Sequence, residues 1–501
     1  MSQPSFNVLH EPWIPVVRPD GSREDLGILP CLSQAHELRE IRDPSPIIEF
    51  GLYRLLVAFV LDALITAGQR PEDALDVKNL IAEGRFDTDL LKKYAEDCGD
   101  VFDLFDDRRP FLQTAGAKGN SKPLAGAYPA VPSGTNAGLW HHAHEEDAVV
   151  SSAGAARLLT TIAPFMTAGG AGLSPSINGA PAIYCLPLGQ DLCRTVLMNL
   201  PIGFDEPSAG RVAWREPRRP GTERNSATTV EALTWRPRIV RIIPRTNSTD
   251  AVSVREMKFE KGDSTRFEWR DPNLAYRFDT DKVTPIRMRE GRPLWRDAGP
   301  LALLHEGGHG KGDGKISYTR PSAVNNAFGL TDSASDLRIK AYGMRTDMKM
   351  KVFEWVTSEL VFPAKLGRSA SLGRLLQAEF DLADKASFYL RSAIKGLFPR
   401  EGAGNKAAMG TVCDRAERAY WQQLEPGLGP VMSRYAGLGE DAAGDAELIK
   451  AIAHPWRSQI ERLAGYQFDI AAEDMDADSD ALERAVRARG KLRSSLRKVL
   501  E

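Results

Sequence analysis

Cysteine is scarce in this sequence, and no two cysteines have the spacing of a structural metal site. Five cysteines are scattered along 501 residues, and no Cys-x-x-Cys pair occurs. A structural zinc site is therefore not expected, and the cysteine usage predicts a reducing compartment. We expect no cofactor and a cytoplasmic location.

An excess of positive charge is also missing. Lysine and arginine number 65 against 67 aspartate and glutamate residues, which gives a net charge of −2 at pH 7. A free-standing DNA-binding protein is usually basic. If this chain touches nucleic acid, its basic surface must be local, or a partner must supply the charge.

No long uncharged apolar run is present. The most apolar run, residues 47–66, contains Glu49, Arg54 and Asp62, which indicates a buried helix and not a membrane span. The first residues lack a signal-peptide pattern, so no targeting segment is expected. The hydrophobic fraction of 42% and charged fraction of 26% are typical of a globular protein, whose length predicts two to four domains.

A segment of small residues at 167–173 is the most distinctive local feature, with glycine at Gly169, Gly170 and Gly172. Because glycine lacks Cβ, such a backbone can come close to another molecule. A DNA minor groove, only about 6 Å wide, is one surface where that closeness matters. A flexible turn between strands is the alternative interpretation. A phosphate-binding P-loop is excluded, because no Gly-Lys-Ser/Thr closes the segment.

Arginine is concentrated in one stretch. Residues 211–245 contain nine arginines and three glutamates, a local charge of +6. Arginine-rich loops commonly contact phosphates, but a charge run is often only a solvated face. Both interpretations remain open.

Residues His305, Glu306 and His309 match the HExxH pattern of zinc proteases. That chemistry needs both histidines on one helical face. The two central glycines and the glycines after them disfavour a helix here. A zinc hydrolase is therefore the weaker alternative.

The hydrophobic pattern predicts an α+β fold with two domains. Residues 1–365 mix strands and helices, including a helix from Pro46 to about Ala67, strands within 251–285 and a strand at 337–345. A turn and then a helix from about Lys351 are expected next. Residues 366–501 form four amphipathic helices separated by glycines, which predicts an antiparallel four-helix bundle. The predicted bundle helices cover residues 369–397, 405–424, 445–474 and 479–500.

Several stretches together resemble the CasA family, the large subunits of the type I-E CRISPR surveillance complex Cascade. No single motif is specific to this family, but the order of the motifs along almost the whole chain is specific to it. The stretches are Phe6–Leu9, Trp13–Val16, Pro110–Thr114, Ser133–Asn136, Gly169–Gly172, Arg194–Asn199, Trp235–Pro237, Asp271–Pro272, Ala275–Tyr276 and Tyr342–Arg345.

The resemblance implies a subunit without catalysis of its own, acting in antiviral defence. In this family the large domain recognises the protospacer-adjacent motif (PAM) of double-stranded DNA from the minor groove and starts strand separation. The implied partners are the guide RNA, the other Cascade subunits, PAM-containing target DNA and a nuclease-helicase, and no membrane is implied.

Site residues are implied by the same resemblance. The glycine loop corresponds to Gly169, Gly170 and Gly172, and the lysine finger to either Lys258 or Lys261. A third element, the wedge typified by glutamine in relatives, corresponds to Asp347, Met348 and Lys349. Met348 occupies the glutamine position, which puts polar readout in doubt, although methionine can still unstack a base step.

A further loop, made of Ser133, Gly134, Thr135 and Asn136, corresponds to the segment that contacts the 5′ end of the guide RNA and its backbone subunits. Some relatives carry a cysteine-rich zinc site between the two finger regions. This chain has no cysteine from 194 to 412 and therefore lacks that feature.

A purely structural scaffold, whose helical bundle only holds partners, is the remaining alternative to the PAM-reading function.

Overall fold

A computed structural model provides the fold. It describes residues 4–124, 149–168, 172–179, 182–203, 210–246, 252–279, 282–288, 294–304, 317–346, 352–399, 403–474 and 479–500.

Strands and helices alternate in the first two thirds of the chain, and helices alone follow. The strands are β1 (Ile14–Val17), β2 (Arg23–Leu26), β3 (Glu40–Ile41), β4 (Ser121–Pro123), β5 (Val150–Ser151), β6 (Tyr184–Leu188), β7 (Glu223–Arg224), β8 (Arg238–Thr246), β9 (Val252–Lys261), β10 (Ser264–Thr265), β11 (Tyr276–Asp279), β12 (Lys282–Pro285), β13 (Ser317–Thr319), β14 (Asp336–Thr346) and β15 (Val352–Pro363). The helices are α1 (Ile28–Ser33), α2 (Pro46–Thr66), α3 (Ala74–Ala82), α4 (Thr88–Cys98), α5 (Ser152–Thr160), α6 (Ile162–Phe165), α7 (Leu192–Met198), α8 (Thr229–Leu233), α9 (Ala298–Ala302), α10 (Ser322–Leu330), α11 (Ala364–Arg368), α12 (Ala370–Lys395), α13 (Ala403–Leu424), α14 (Leu428–Ala436), α15 (Ala446–Glu473) and α16 (Ser479–Leu500).

Helix α2 lies at the centre of the N-terminal core, as its apolar composition predicts. It starts with Pro46 at the first helical position, and every residue from 47 to 64 is buried. Its three charged side chains are paired: Glu49 with Lys340, Arg54 with Asp271 and Asp62 with Arg215. The prediction of a buried helix is confirmed. Among the described residues, no helix has the length and apolar character needed to cross a membrane.

Two antiparallel sheets bear the connections that contain the predicted site residues. One is built on β9, which pairs with β8 on one edge and with β4 and β5 on the other. The second has the strand order β15-β14-β6. In that sheet, β14 pairs with β15 over its whole length and with β6 from Arg338 to Tyr342.

The predicted helix after residue 351 is wrong, because Val352–Pro363 forms strand β15. Its sequence is rich in β-branched and aromatic residues, which favour a strand. Buried Leu360 and Phe362 alternate with exposed Val361 near its end. The ladder to β14, from Asp336↔Pro363 to Thr346↔Val352, supplies the pairing that local pattern alone does not reveal.

The C-terminal region is the predicted four-helix bundle, formed by α12, α13, α15 and α16. Its core is aromatic, with Trp421 and Trp456 fully buried, and Tyr435 of the shorter helix α14 belongs to the same buried cluster. Trp295, from the N-terminal part, packs on Trp421 with ring centroids 5.4 Å apart. One apolar cluster thus joins the bundle to β6 and β14, and the domain division at residue 365 stays a prediction.

The buried pair Glu49–Lys340 generates a stability prediction. Tyr342 also donates to the same carboxylate oxygen at 2.7 Å, and both charged side chains are almost fully buried, with 3% and 5% exposure. In Lys340→Met, the carboxylate loses its cationic partner, and we expect the free energy of unfolding to fall by about 3 kcal/mol. Denaturant titration of the isolated chain measures this loss.

Exposed Lys78 on α3 provides the matched control. We expect Lys78→Met to change the free energy of unfolding by less than about 0.5 kcal/mol. Equal denaturation midpoints for the two methionine variants would contradict the importance of the buried pair.

Candidate nucleic-acid interface

The glycine segment lies between helices and a short turn. Helices α5 and α6 precede it, so the alternative of a turn between two strands is wrong on its N-terminal side. Gly169 and Gly170 lie outside the described residues. Gly172 has φ +77°, in the left-handed region where side chains are disfavoured. An added Cβ there would meet no heavy atom of the described residues within 4 Å.

Both flanks of this segment are bonded to one buried arginine on β8. The Arg238 guanidinium donates to the carbonyl oxygen of Thr167 at 2.8 Å and to that of Ser174. Arg238 is 3% exposed. The backbone before and after the three glycines is thereby joined to the β8–β9 hairpin.

A buried polar network holds the chain just after the glycine segment. Asn178 donates to Asp271 at 2.8 Å and to the Tyr184 hydroxyl at 3.0 Å. Asp271 also accepts from Arg54 at 2.7 Å, and Arg54 donates to the carbonyl of Leu233 at 2.9 Å. Residues 172–179 are therefore tied to the central helix α2.

The two candidate finger lysines occupy different positions on β9. Lys258 lies within the strand, paired with Ser121 on one side and Arg241 on the other, and shares its face with Glu256 and Glu260. Lys261 is the last residue of the strand and is exposed.

The strand partner of Lys261 is Arg238, the arginine bonded to both flanks of the glycine segment. Lys261 is therefore the candidate that the structure brings near those flanks.

The predicted guide-RNA loop has its two ends on the same strand. Ser133, Gly134, Thr135 and Asn136 lie outside the described residues. The chain leaves β4 at Pro123, opposite Glu256, and returns in β5 at Val150, opposite Val254. Both ends of the connection 125–148 are thus next to each other on one edge of β9.

Asp347, Met348 and Lys349, the predicted wedge, also lie outside the described residues. They belong to the connection between β14 and β15. Tyr342 on β14 pairs with Tyr184 at the start of β6 in antiparallel fashion. The chain preceding β6 and the chain following β14 therefore leave this sheet at the same end.

A rigid turn follows Lys261. A Cβ added to Gly262 would lie 2.3 Å from Arg236 O and Arg238 N, so only glycine fits there. Asp263 accepts hydrogen bonds from the Arg218 guanidinium and from the backbone N–H of Gly221 at 2.8 Å. Its burial opposes ionisation, but these bonds outweigh that effect and lower the pKa of the Asp263 carboxyl.

The arginine-rich stretch 211–245 is largely committed to partners within the chain. Six of its arginines form ion pairs and two more donate to backbone carbonyls. The ion pairs are Arg215–Asp62, Arg218–Asp263, Arg219–Glu260, Arg224–Glu231, Arg241–Asp107 and Arg245–Glu256. Within the described residues, the arginines bonded only to carbonyls are Arg236 and Arg238. Structural cross-linking therefore accounts for most of this local charge, an interpretation that the sequence pattern did not suggest.

The HExxH residues His305, Glu306 and His309 lie outside the described residues. In the parts of the chain that are described, no group of three or more histidine, cysteine or acidic side chains could hold a metal ion. All five cysteines are buried as free thiols. Burial raises the pKa of the Cys31 thiol to about 12.

Comparison with known proteins identifies the family. A family model described as CRISPR-associated protein Cse1 matches residues 7–465, most of the chain. The chain belongs to the CRISPR-associated Cse1 family. The resemblance to the CasA large subunits of type I-E Cascade is confirmed.

Relatives of this Cse1-family chain agree with that assignment. A curated CasA/Cse1 protein from Thermus thermophilus is 32% identical over 354 residues, which cover 67% of this chain and 66%, just under two thirds, of the relative. A crystal structure of a CRISPR-associated protein, also from Thermus thermophilus, has a TM-score of 0.78 at 23% identity, covering 98% of this chain and 100% of that one. A chain of a solved CRISPR RNA-guided surveillance complex has a TM-score of 0.77 at 22% identity, covering 98% and 99%. These structures share the α+β fold with a helical C-terminal region, so the predicted fold class is confirmed.

The Asp263 turn of this Cse1-family chain generates a pH-dependent prediction. Because the pKa of Asp263 is lowered by folding, its contribution to stability is present above the ordinary carboxyl pKa and is lost as pH falls through the folded value. We expect Asp263→Asn to lower the free energy of unfolding at pH 7 by about 1–3 kcal/mol. The difference from the unsubstituted chain should shrink as pH falls below about 4.

Denaturant titration at several pH values measures this difference. Asp89→Asn is the control, because that side chain is 94% exposed. A loss that stays constant between neutral and acidic pH would contradict the assigned role of the ionised carboxylate.

Proposed function

We propose that this chain is the large, non-catalytic subunit of a type I-E CRISPR surveillance complex. In this role it binds guide RNA and the other Cascade subunits, recognises the PAM of double-stranded DNA from the minor groove and begins strand separation. It then helps to recruit the nuclease-helicase. Its cytoplasmic location remains part of the proposal.

The convergence of three separate segments carries this proposal. Arg238 joins the flanks of the glycine segment to the hairpin that ends at Lys261. The sheet β15-β14-β6 directs the wedge connection and the glycine flank towards one end. The glycine segment, Lys261 and the wedge follow one another at intervals of about 90 residues in the sequence. On this proposal, all three would face one DNA site.

Minor-groove chemistry suits these elements. The groove offers a degenerate pattern of acceptors, so a reader of this kind should tolerate several PAM sequences. Sequence reading is left to guide RNA pairing, and the protein needs only the short motif. At the wedge, Met348 would separate the first base step sterically, since methionine is among the apolar side chains that unstack DNA.

We propose Lys261, and not Lys258, as the lysine finger. Lys261 is exposed at the strand end, and the turn at Gly262 and Asp263 supports it rigidly. Lys258 lies within the strand between Ser121 and Arg241 on the two neighbouring strands, and it is only half-buried rather than exposed at a strand end.

One assay tests the function itself. Guide-loaded complex, reconstituted with and without this chain, is mixed with duplex targets that carry a randomised PAM, and bound DNA is recovered and sequenced. We expect both tight binding and PAM preference to require the chain. Equal PAM selection by the complex without this chain would contradict the proposal and make a purely structural scaffold the leading interpretation.

Single lysine variants test the finger. In the assembled complex, Lys261→Ala should weaken PAM-dependent binding about tenfold, the effect of losing one charged hydrogen bond. Lys258→Ala and the surface control Lys78→Ala should bind nearly as well as the unsubstituted chain. Gel-shift titration on one PAM-containing duplex gives the affinities. A larger loss in Lys258→Ala would assign the finger to that residue instead.

A further inference from the structure

Among the described residues, the hydrogen bonds of buried Arg238 go to backbone carbonyls and not to a carboxylate. Its guanidinium lies over the Phe259 ring, 5.3 Å from the centroid, and donates to carbonyl oxygens on either side of the glycine segment. Within the described part of the chain, no carboxylate pairs with it, and burial lowers its pKa to about 10. The side chain is still cationic at neutral pH.

A cation buried without a carboxylate is costly, so its neighbours must satisfy it. The two terminal nitrogens bond backbone oxygens of Thr167 and Ser174, which the glycines separate, and of Pro237, whereas the buried Nε has no hydrogen-bond partner among the described residues. A planar guanidinium can bond both flanks at once, because its N–H groups point in fixed directions. A lysine ammonium is a point charge and lacks this fork geometry.

A backbone hydrogen bond also joins the two flanks, because the Ser176 N–H donates to the Met166 carbonyl at 2.8 Å. The buried network at Asn178 and Asp271 restrains the chain after the segment. Within the described part of the chain, Arg238 adds side-chain bonds to carbonyls on both sides.

We propose that Arg238 is a positioning residue that holds Thr167 and Ser174, the two flanks of the glycine segment, at the spacing that PAM-dependent binding requires. The DNA-reading part of this inference rests on the proposed function, whereas the restraint of the flanks does not. Arg238 itself contacts no DNA, because it is almost fully buried.

The same contact links the glycine segment to Lys261. Arg238 and Lys261 are paired across the hairpin, and the Gly262 backbone lies against residues 236–238 so closely that no side chain fits. A change at Arg238 should therefore disturb the glycine segment first, while the hairpin backbone keeps its own ladder of bonds.

The test compares Arg238→Lys with Arg241→Lys. Arg241 lies on the same strand and also donates to two backbone carbonyls, those of Asp106 at 2.7 Å and Phe105 at 3.1 Å. Unlike Arg238, it also pairs with a carboxylate, that of Asp107 at 3.2 Å. It is a control on the same strand whose contacts lead away from the glycine segment. Arg238→Gln is a second variant that retains N–H donors but loses the fork, and thermal melting verifies that each variant is folded.

Amide hydrogen exchange of the isolated full chain is the first readout. We expect faster exchange across residues 168–173 in both Arg238 variants and no change there in Arg241→Lys. Unchanged exchange in folded Arg238 variants would overturn the inference.

Binding by the guide-loaded complex is the second readout. Arg238→Lys should weaken PAM-dependent binding about tenfold, while the dependence of affinity on salt keeps its slope, because no phosphate contact is lost. A reduced slope would mean that Arg238 contacts phosphate directly, and would overturn the positioning role. Faster exchange with unchanged DNA affinity would support the restraint of the flanks but overturn the DNA-reading part of the inference. That outcome would also count against the function proposed for the glycine segment.

Discussion

The buried ion pair between Arg54 and Asp271 is the constraint on which the interface depends. Both side chains are almost completely buried, at 3% and 0% exposure. Such a pair is tolerated only when further hydrogen bonds satisfy both ions. Those bonds come from segments that are distant in the sequence, at Ala232 and Leu233 on one side and Asn178 on the other. The requirement to satisfy two buried charges therefore assembles α2, α8 and the chain after the glycine segment at one point.

Around that point, the molecule uses arginine mainly as a structural cross-link. Arg215 reaches from the stretch 211–245 into the central helix to pair with Asp62, and Arg218 supports the turn after β9 through Asp263. Most arginines of this stretch are thereby bonded within the chain, by carboxylates or by backbone carbonyls.

The sequence predicted those parts of the fold that depend on local pattern. Helix α2 is identified by its continuous apolar composition and by Pro46 at its start. The four bundle helices are identified by apolar periodicity and by the glycines between them. Strand β15 was missed because its partner β14 supplies the pairing, and no local pattern contains that information. The choice between Lys258 and Lys261 was equally beyond the sequence, since only the register of β9 shows which one is paired with Arg238. Arg238 itself gave no signal, because its bonds reach carbonyls 64 and 71 residues away.

Strand β9 has neighbours on both edges, and on the proposed roles its position would couple two binding events thermodynamically. One edge receives both ends of the connection that contains the predicted guide-RNA loop, and the strand ends at the lysine proposed to enter DNA. On the proposed roles, guide RNA and target DNA would both bind segments connected to β9, a strand of ten residues. If bound guide RNA changes the register or tilt of β9 and thereby strengthens the binding of PAM-containing DNA, the DNA must strengthen the binding of guide RNA. The two changes in binding free energy must be equal. Assembly and target recognition would be reciprocally linked through a single strand.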